Sequence, residues 1–257
     1  MITCEFGGRL GNLMIEIFTV FWYCKKMGID FSHIKFCSAY VGSGIAPEKY
    51  HSVIMDYINF NGELLLNDFL KNYFVDRNVY LQKCQGIQVK GISDAIRERV
   101  LRDLKFPAYS YHYPETDDDV RLFRSIFKTP ALANRLKDKF SGYFTGKSIC
   151  VHVRRTDYKE FKNGKYLETA DEICSKIQAI SEREHSARFV VFSDDIPWCT
   201  ENIRAENVLF HEEQKAYEDL YLMSMFDEIT SNGHSSFSYC AKLLNEKIEG
   251  IPQRAKV

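Results

Sequence analysis

The distribution of apolar residues predicts a chain in which short strands alternate with helices. Residues 2–6 form a strand-like run, and a glycine-rich loop follows it. Residues 13–27 have the length and apolar density of a core helix, which Gly28 would end. The pattern is weaker between residues 30 and 130. There, Ser93 and Asp94 resemble a helix N-cap and predict a helix over 93–104. Residues 106–119, with two prolines and an acidic cluster, are expected to form a surface loop or a lobe boundary.

The alternation becomes regular after Pro130. Short β-rich runs there are separated by longer stretches with helical periodicity. The predicted strands are residues 148–153, 187–192, 207–210 and 228–230, and the predicted helices are 130–140, 170–184, 217–225 and 235–244. Strands that alternate with helices favour a parallel sheet covered on both faces, and therefore an α/β fold.

Length and charge narrow the classes of function. With 257 residues, 45% of them hydrophobic, the chain can form one large domain or two α/β lobes that share a cleft. We place the lobes at 1–140 and 141–257. The net charge of −1 argues against nucleic acid as a partner. A site for a phosphate group must then come from a few well-placed arginines.

The cysteines and the N-terminus predict a cytoplasmic protein. The eight cysteines lie in apolar stretches without CxxC spacing, which favours buried reduced thiols over a disulfide framework. The chain opens without the pattern of a secretory signal. The apolar run 13–24 is shorter than the roughly 20 residues that a membrane span needs, and it contains Glu16. Peripheral contact with a membrane or with a lipid-linked acceptor stays open.

The densest group of polar residues follows the predicted strand 148–153. His152 ends this strand, and Arg154, Arg155 and Asp157 come directly after it. Ligands of parallel sheets bind outside the carboxyl ends of the strands, and an arginine fork matches a phosphate or pyrophosphate. Because the two arginines are adjacent, one can reach a ligand while the other braces the loop. A surface Arg/Asp ion pair without a ligand is an equally good interpretation of this pair alone.

Two further strand ends carry polar residues. Asp194 and Asp195 follow the strand 187–192, where a carboxylate can bind a nucleotide base or ribose, or can cap the next helix. Ser235 and Ser236 stand between the last strand and the last helix, a layout that presents amides and hydroxyls to an anion. Ordinary helix capping by Ser235 is the alternative.

The N-terminal glycine loop does not fit a dinucleotide site. Gly8, Gly11 and Asn12 could approach a ligand closely, but Phe6 occupies the position of the first glycine in GxGxxG. The sequence also lacks a GxxxxGK[ST] loop and an HExxH motif. We therefore expect neither a metal ion nor a cofactor.

Together and in this order, these segments resemble the α-1,2-fucosyltransferase family (glycosyltransferase family 11), within a superfamily that includes α-1,6- and O-fucosyltransferases. Five segments of the family pattern have counterparts here. They are the glycine loop, the His-x-Arg-Arg-x-Asp-Tyr motif, the Phe-Ser-Asp-Asp segment, the acidic-Leu and Met-Ser helix, and the Asn-Ser-x-Phe-Ser segment. The matching residues are Gly7, Gly8, Gly11, Asn12, His152, Arg154, Arg155, Asp157, Tyr158, Phe192, Ser193, Asp194, Asp195, Trp198, Asp219, Leu220, Met223, Ser224, Ser235, Phe237 and Ser238. Four positions depart from the family pattern, namely Leu13, His234, Tyr239 and Cys240.

The resemblance implies a GT-B fold, in which two Rossmann-like lobes face a central cleft. It implies inverting, metal-independent transfer of fucose from GDP-fucose to a hydroxyl of a glycan acceptor, galactose O2 being the expected position. The C-terminal lobe would hold the donor and the N-terminal lobe the acceptor. A transferase for another nucleotide sugar and an inactive nucleotide- or glycan-binding relative are the alternatives. An NAD-dependent oxidoreductase is the weakest, since it leaves both arginines unexplained.

The resemblance also assigns roles to residues. Arg154 or Arg155 would neutralise the charge that develops on the departing β-phosphate. The pyrophosphate would bind at Ser235, Ser236 and the amides of the last helix, and Phe237 in the same turn would also bind substrate. The remaining substrate-binding residues would be Gly8, Gly11, Asn12, His152, Asp194 and Asp195. His152 would support the strand end, and Asp157 and Glu16 are the candidates for the base that deprotonates the acceptor.

Overall fold

The computed structural model describes residues 1–37, 68–75, 87–88, 91–99, 103–212 and 215–253. The chain divides into two compact units, Met1–Thr129 and Pro130–Val257. The division falls before the helix Pro130–Lys139 and not at the expected residue 140. This helix packs against the helix Ala216–Met223 of the second unit, which explains why it belongs there.

The first unit is a small parallel α/β structure. Its strands are β1 (Ile2–Cys4), β2 (Phe36–Cys37), β3 (Phe74–Val75), β4 (Ile87–Gln88) and β5 (Leu104–Phe106). Its helices are α1 (Leu10–Met27), α2 (Asp68–Lys71), α3 (Ile92–Arg97) and α4 (Asp117–Phe127). Strand β5 lies between β1 and β4, β2 pairs with β3, and every pairing is parallel. A bridge from Ile2 to Ile34 connects β1 with the segment that leads into β2.

Helix α1 confirms the predicted core helix but begins earlier. It starts at Leu10, so Gly11 and Asn12 belong to its first turn and not to the loop before it. Most of its 18 residues are buried, as its apolar density predicts. The helix ends at Gly28, whose φ of 67° is the left-handed conformation that glycine adopts without a steric penalty.

One prediction for the first unit is wrong, and another is confirmed only in part. The helix expected over 93–104 ends at Arg97, and the chain then enters strand β5. Residues 107–116 form the expected loop, but Phe106 ends β5 and the acidic cluster forms the first turn of α4. Thr116 and Asp119 cap that turn reciprocally, and acidic residues there interact favourably with the helix dipole. The cluster is therefore a helix start.

The second unit has the predicted alternation. Its strands are β6 (Ser148–Val153), β7 (Arg188–Ser193), β8 (Val208–Phe210) and β9 (Glu228–Thr230). Its helices are α5 (Pro130–Lys139), α6 (Ala170–Arg183), α7 (Ile196–Asn202), α8 (Ala216–Met223) and α9 (Ser236–Leu244). The strands form one parallel sheet in the order β8-β7-β6-β9. The predicted parallel sheet is confirmed.

Both faces of this sheet are covered. Alternate residues of β6, starting at Ile149, pack with the isoleucines of α6 and with Cys199 of α7 in one apolar cluster. On the opposite face the His152 ring lies 5.5 Å from the Phe237 ring of α9, and the Phe192 ring lies 5.7 Å from that of Phe226. Strand β6 is buried along its whole length, as expected for a central strand covered on both faces.

The cysteines that the structure describes are free thiols, namely Cys4, Cys24, Cys150, Cys174, Cys199 and Cys240. Burial raises the pKa of Cys4 and of Cys150 well above the usual value. Among the helices within the described ranges, none combines the length and the apolarity needed to cross a membrane.

Candidate functional site

The carboxyl ends of β6, β7 and β9 meet at one edge of the second sheet. After β6 the chain continues to β7 and β8 on one side, and it then returns to place β9 on the other side of β6. The strand order therefore reverses between β6 and β9. In open parallel sheets this reversal leaves a crevice in which ligands bind. The arginine motif follows β6 and the serine-rich turn follows β9, so the two segments border this crevice.

Arg154 is held between two carboxylates. Its Nε and Nη2 donate to Oδ1 and Oδ2 of Asp157 at 2.8 and 3.0 Å, a bidentate pair. Its Nη1 lies 3.0 Å from Oδ2 of Asp194. The Asp157 side chain is 44% exposed, whereas that of Arg154 is 15% exposed. The guanidinium is thus fixed in orientation, and the ion pair expected as the alternative is present.

Arg155 points elsewhere and braces the fold. Its guanidinium carbon lies 3.2 Å from the centroid of the Trp198 ring, and its Nη1 donates to the Glu168 carbonyl at 3.3 Å. Its Nε lies 3.6 Å from Oδ2 of Asp195. The residue is buried. Arg155 is thus the arginine that braces the loop, and a ligand contact of Arg154 stays a prediction.

Asp194 ties the loop after β6 to the end of β7. Its carboxylate accepts hydrogen bonds from the backbone N–H groups of Arg155 at 2.8 Å and Thr156 at 3.3 Å, and from the Thr156 hydroxyl. Burial alone would raise the pKa of Asp194, but the Arg154 charge and these hydrogen bonds hold it below the usual value. Asp194 is therefore an ionised anchor of the arginine loop.

Asp195 caps helix α7. Its Oδ1 accepts from the N–H of Trp198 at 3.4 Å, and its Oδ2 accepts from Lys159 Nζ at 3.0 Å. The capping alternative thus describes Asp195, while its neighbour Asp194 serves the loop. The Lys159 bond is the main reason that the pKa of Asp195 lies below its usual value.

His152 is a buried, neutral side chain. Burial lowers the pKa of His152 to about 4, so the ring carries no charge near neutral pH. In the described part of the chain its Nδ1 has no hydrogen-bond partner. Its ring stacks on Phe237 in the first turn of α9, which brings the serine-rich turn to the end of β6.

The serine-rich turn is held by its own side chains. Asn232 donates from Nδ2 to the Tyr166 carbonyl at 2.9 Å and accepts from the His234 N–H at 3.0 Å. Ser238 Oγ donates to Ser231 Oγ at 3.1 Å. These bonds link the turn to the segment that follows the arginine motif, to which the His234 ring also packs, 4.1 Å from that of Tyr166.

Ser235 occupies the N-cap position of α9 but makes no side-chain capping bond. The ordinary capping expected as the alternative is thus not the role of this hydroxyl. The first-turn N–H groups of a helix lack intrahelical partners and attract anions. Ser235 and Ser236 consequently stand at a helix start with the properties of an anion site.

The glycine loop of the first unit is anchored by Glu16. The Gly7 N–H donates to Oε1 and Oε2 of Glu16 at 3.2 and 3.0 Å, and the Tyr109 N–H donates to Oε1 at 2.7 Å. Gly8 has a φ of 77°, and a Cβ there would lie 2.0 Å from Nδ2 of Asn12. Glu16, a candidate base, is 1% exposed and bonded to backbone. Burial raises its pKa to about 8, against the lowering effect of these bonds.

Sequence reasoning missed the partners that lie far away along the chain. No local sequence motif announces these contacts. They are the anchoring by Glu16, the placement of Tyr109, and the contacts of Lys159 and Tyr166. Within the described residues, no three His, Cys, Asp or Glu side chains come together as a set of metal ligands. The absence of a metal and of a cofactor stays a prediction.

Solved structures share this fold. POFUT1 in complex with GDP-fucose aligns with a TM-score of 0.59 at 11% identity, over 98% of this chain and 97% of that one. Fucosyltransferase NodZ from Bradyrhizobium aligns with a TM-score of 0.59 at 14% identity, over 95% and 92%. NodZ α-1,6-fucosyltransferase co-crystallized with GDP gives 0.57 at 14% identity, over the same shares. At these identities the likeness establishes the fold.

The sequence comparison identifies the family. No curated protein matches the sequence significantly. The family Glycosyl transferase family 11 matches residues 62–251, which include the arginine motif, both aspartates and the serine-rich turn. With most of its length matched and its motifs gathered at one sheet edge, the chain belongs to glycosyl transferase family 11.

Proposed function

We propose that this protein transfers the fucosyl group of GDP-fucose to a glycan hydroxyl, with galactose O2 as the acceptor atom. Membership of glycosyl transferase family 11 supports a glycosyl transfer. A similar fold has been solved with GDP-fucose in POFUT1, and this supports the donor. The proposal includes the GT-B arrangement of two lobes around a cleft, inversion at the anomeric carbon, independence of metal ions and a cytoplasmic location.

The observation that carries the proposal is the position of Arg154. It lies at the carboxyl end of β6, beside the reversal of strand order, and the uncapped start of α9 lies across the crevice. A guanidinium and a helix N-terminus are the two groups that proteins use most readily for diphosphates. We assign the pyrophosphate of the donor to this crevice.

In the reaction, the acceptor hydroxyl oxygen would form a bond to the anomeric carbon of fucose and give its proton to a base. The bond between that carbon and the β-phosphate oxygen would break, with its electron pair staying on that oxygen, so that GDP leaves. Arg154 would neutralise the resulting charge, and the amides of α9 with Ser235 and Ser236 would hold the rest of the diphosphate. Arg155 and Asp194 would keep the loop in place. The Gly8, Gly11 and Asn12 segment would complete the donor site from the N-terminal lobe.

Asp157 has to release Arg154 before the guanidinium can bind the β-phosphate. It occupies two nitrogens of Arg154, and a β-phosphate would compete for the same donors. Because the Asp157 side chain is 44% exposed, water can solvate its carboxylate once a phosphate replaces it. We therefore propose that Asp157 holds Arg154 in place until the donor binds, and the acceptor base stays unassigned.

The departures from the family pattern do not favour an inactive relative. Leu13, Tyr239 and Cys240 are buried in the core, so their identities affect packing before they affect a ligand. His234 packs on Tyr166 within the turn.

Transfer from GDP-fucose to lactose by wild-type, Arg154→Ala and Arg183→Ala proteins tests the proposal. Arg183 lies on the surface of α6 and pairs with Glu228, so it is the matched control. We expect Arg154→Ala to lower kcat/KM at least about 100-fold, as loss of one charge-stabilising group does, and Arg183→Ala to retain activity. Wild-type activity in Arg154→Ala would contradict the assignment. A thermal shift with UDP or NAD but none with GDP would contradict the donor.

A further inference from the structure

We infer that the ring of Tyr109 is the surface on which a terminal β-galactoside of the acceptor stacks. This inference rests on the proposed function and adds a residue that determines acceptor binding. Tyr109 follows strand β5, and Gly7 follows β1, the neighbouring strand of the same sheet. The bridge of Ile2 to Ile34 continues the chain on the opposite side of β1. The strand order of the first unit thus reverses between β1 and β5, where parallel sheets bind ligands.

The backbone of Tyr109 adopts a conformation that needs support. Its φ is 63°, in the left-handed region that residues with a bulky side chain rarely occupy. The support comes from Glu16, which accepts the Tyr109 N–H at 2.7 Å. Such conformations persist where the surroundings enforce them, and they are concentrated at functional sites. The same Glu16 carboxylate also accepts hydrogen bonds from the Gly7 N–H. One buried group thus positions the segments that follow β1 and β5.

The ring of Tyr109 is held at the surface. Its side chain packs against the Gly7 backbone so closely that a Cβ on Gly7 would lie 2.7 Å from Cζ of the ring. The ring of Tyr111 lies 6.2 Å away at 88°, an edge-to-face contact. Tyr109 is nevertheless 48% exposed, the highest value among the large hydrophobic residues described as exposed. The outcome is a flat aromatic ring, supported by the fold and open to solvent.

The chemistry of the ring selects the ligand. An aromatic ring with a polar tip binds a partner that offers an apolar face with hydroxyls at its rim. In β-galactose the axial hydroxyl at C4 leaves the C–H groups of C3, C4 and C5 together on the opposite face. A guanine base would instead need a carboxylate for its ring N–H groups, and both oxygens of the adjacent Glu16 already accept backbone N–H bonds. A galactoside therefore fits this surface better than the guanine base of the donor does.

Binding of lactose and of GDP to wild type, Tyr109→Ala and Tyr109→Phe, measured by calorimetry, tests the inference. Phe69→Ala is the control, because Phe69 is a second exposed aromatic residue of the first unit. We expect Tyr109→Ala to weaken lactose binding about 10-fold, the size of one lost aromatic contact. Tyr109→Phe keeps the ring and should bind lactose within about 3-fold of wild type, and Phe69→Ala should not change it.

The two proposals fail in different ways. Unchanged lactose binding in Tyr109→Ala, or no lactose binding by wild type, overturns the role of Tyr109 even when GDP binds. Loss of GDP affinity in Tyr109→Ala with unchanged lactose affinity assigns the ring to the donor and also overturns it. Absence of GDP binding by wild type overturns the proposed function. Thermal unfolding of each variant establishes that a loss of binding is not a loss of folding.

Discussion

The guanidinium carbon of Arg155 lies 3.2 Å from the centroid of the Trp198 ring, and this contact joins the loop after β6 to the helix after β7. The arginine is buried, and the nearby Asp195 carboxylate offsets part of its positive charge. Of two adjacent arginines, Arg155 is therefore part of the structural framework, whereas the Arg154 guanidinium pairs with Asp157 and Asp194 at the end of β6. The contact of Arg155 with Trp198 explains why a tryptophan follows the Phe-Ser-Asp-Asp segment at this distance.

The Arg155–Trp198 contact should contribute measurably to stability. We expect Arg155→Lys to lower the free energy of unfolding by about 2 kcal/mol, because an ammonium group keeps the charge but cannot stack as a plane. Urea unfolding measures it. Lys26→Ala is the control, since Lys26 is exposed and lies 4.7 Å from the Trp22 ring, a contact expected to contribute about 0.5 kcal/mol or less. Equal losses in both variants would remove the special role of Arg155.

Asp157→Asn should strengthen GDP binding. If Asp157 occupies Arg154 only until the donor arrives, removing its charge frees the guanidinium and lowers the Kd about 3-fold, the equivalent of an exposed ion pair. Calorimetric titration with GDP measures this. Asp118→Asn, which alters an exposed carboxylate paired with Arg121, is the control. Weaker GDP binding by a correctly folded Asp157→Asn would instead mean that Asp157 contributes to the donor site.

Glu16 should make stability fall as pH rises. Burial raises its pKa from 4.5 to about 8. A carboxyl with a raised pKa contributes stability that is fully present below the unfolded value and is lost as pH rises through the folded value. Between pH 5 and 9 we therefore expect a decrease on the order of a few kcal/mol in the free energy of unfolding.

Urea unfolding across this pH range, with Glu16→Gln beside wild type, checks that prediction. The variant has no titrating group at this position, so its profile should be flatter. It should also keep part of the anchoring, because the amide oxygen can still accept from Gly7 and Tyr109. Identical slopes in both proteins would show that the three backbone bonds keep Glu16 ionised throughout.

Gly8→Ala should cost more stability than Gly28→Ala. Both glycines have a positive φ, which costs an alanine roughly 1 to 2 kcal/mol. A Cβ on Gly28 meets nothing within 4 Å, whereas one on Gly8 would displace the side chain of Asn12. We expect Gly8→Ala to exceed the control by about 1 kcal/mol. Combining it with Asn12→Ala should remove that excess, and simple additivity would contradict the proposed clash.

Local sequence patterns were enough to predict the strands of the second unit, the position of its polar motifs and four of the five α-helices described there, the exception being α7. Periodicity, Gly28 and the strand-end placement of Arg154 are local properties, since each depends on residues a few positions apart. The same local patterns missed strand β5 and the start of α4. Strand β5 is stabilised by pairing with β1, which lies about a hundred residues earlier. The reciprocal cap of α4 lies within an acidic run that resembles a surface loop in sequence.

Contacts between segments that are distant along the chain determine which of several similar residues has which role. Arg155 stacks on Trp198 and so belongs to the structural framework. Asp194 accepts hydrogen bonds from the loop after β6, and Asp195 caps helix α7. Glu16 reaches Tyr109 across 93 positions of sequence. The physical reason is that a side chain's neighbours along the chain fix its backbone conformation, whereas burial and hydrogen-bond partners are fixed by segments that meet only when the sheet assembles.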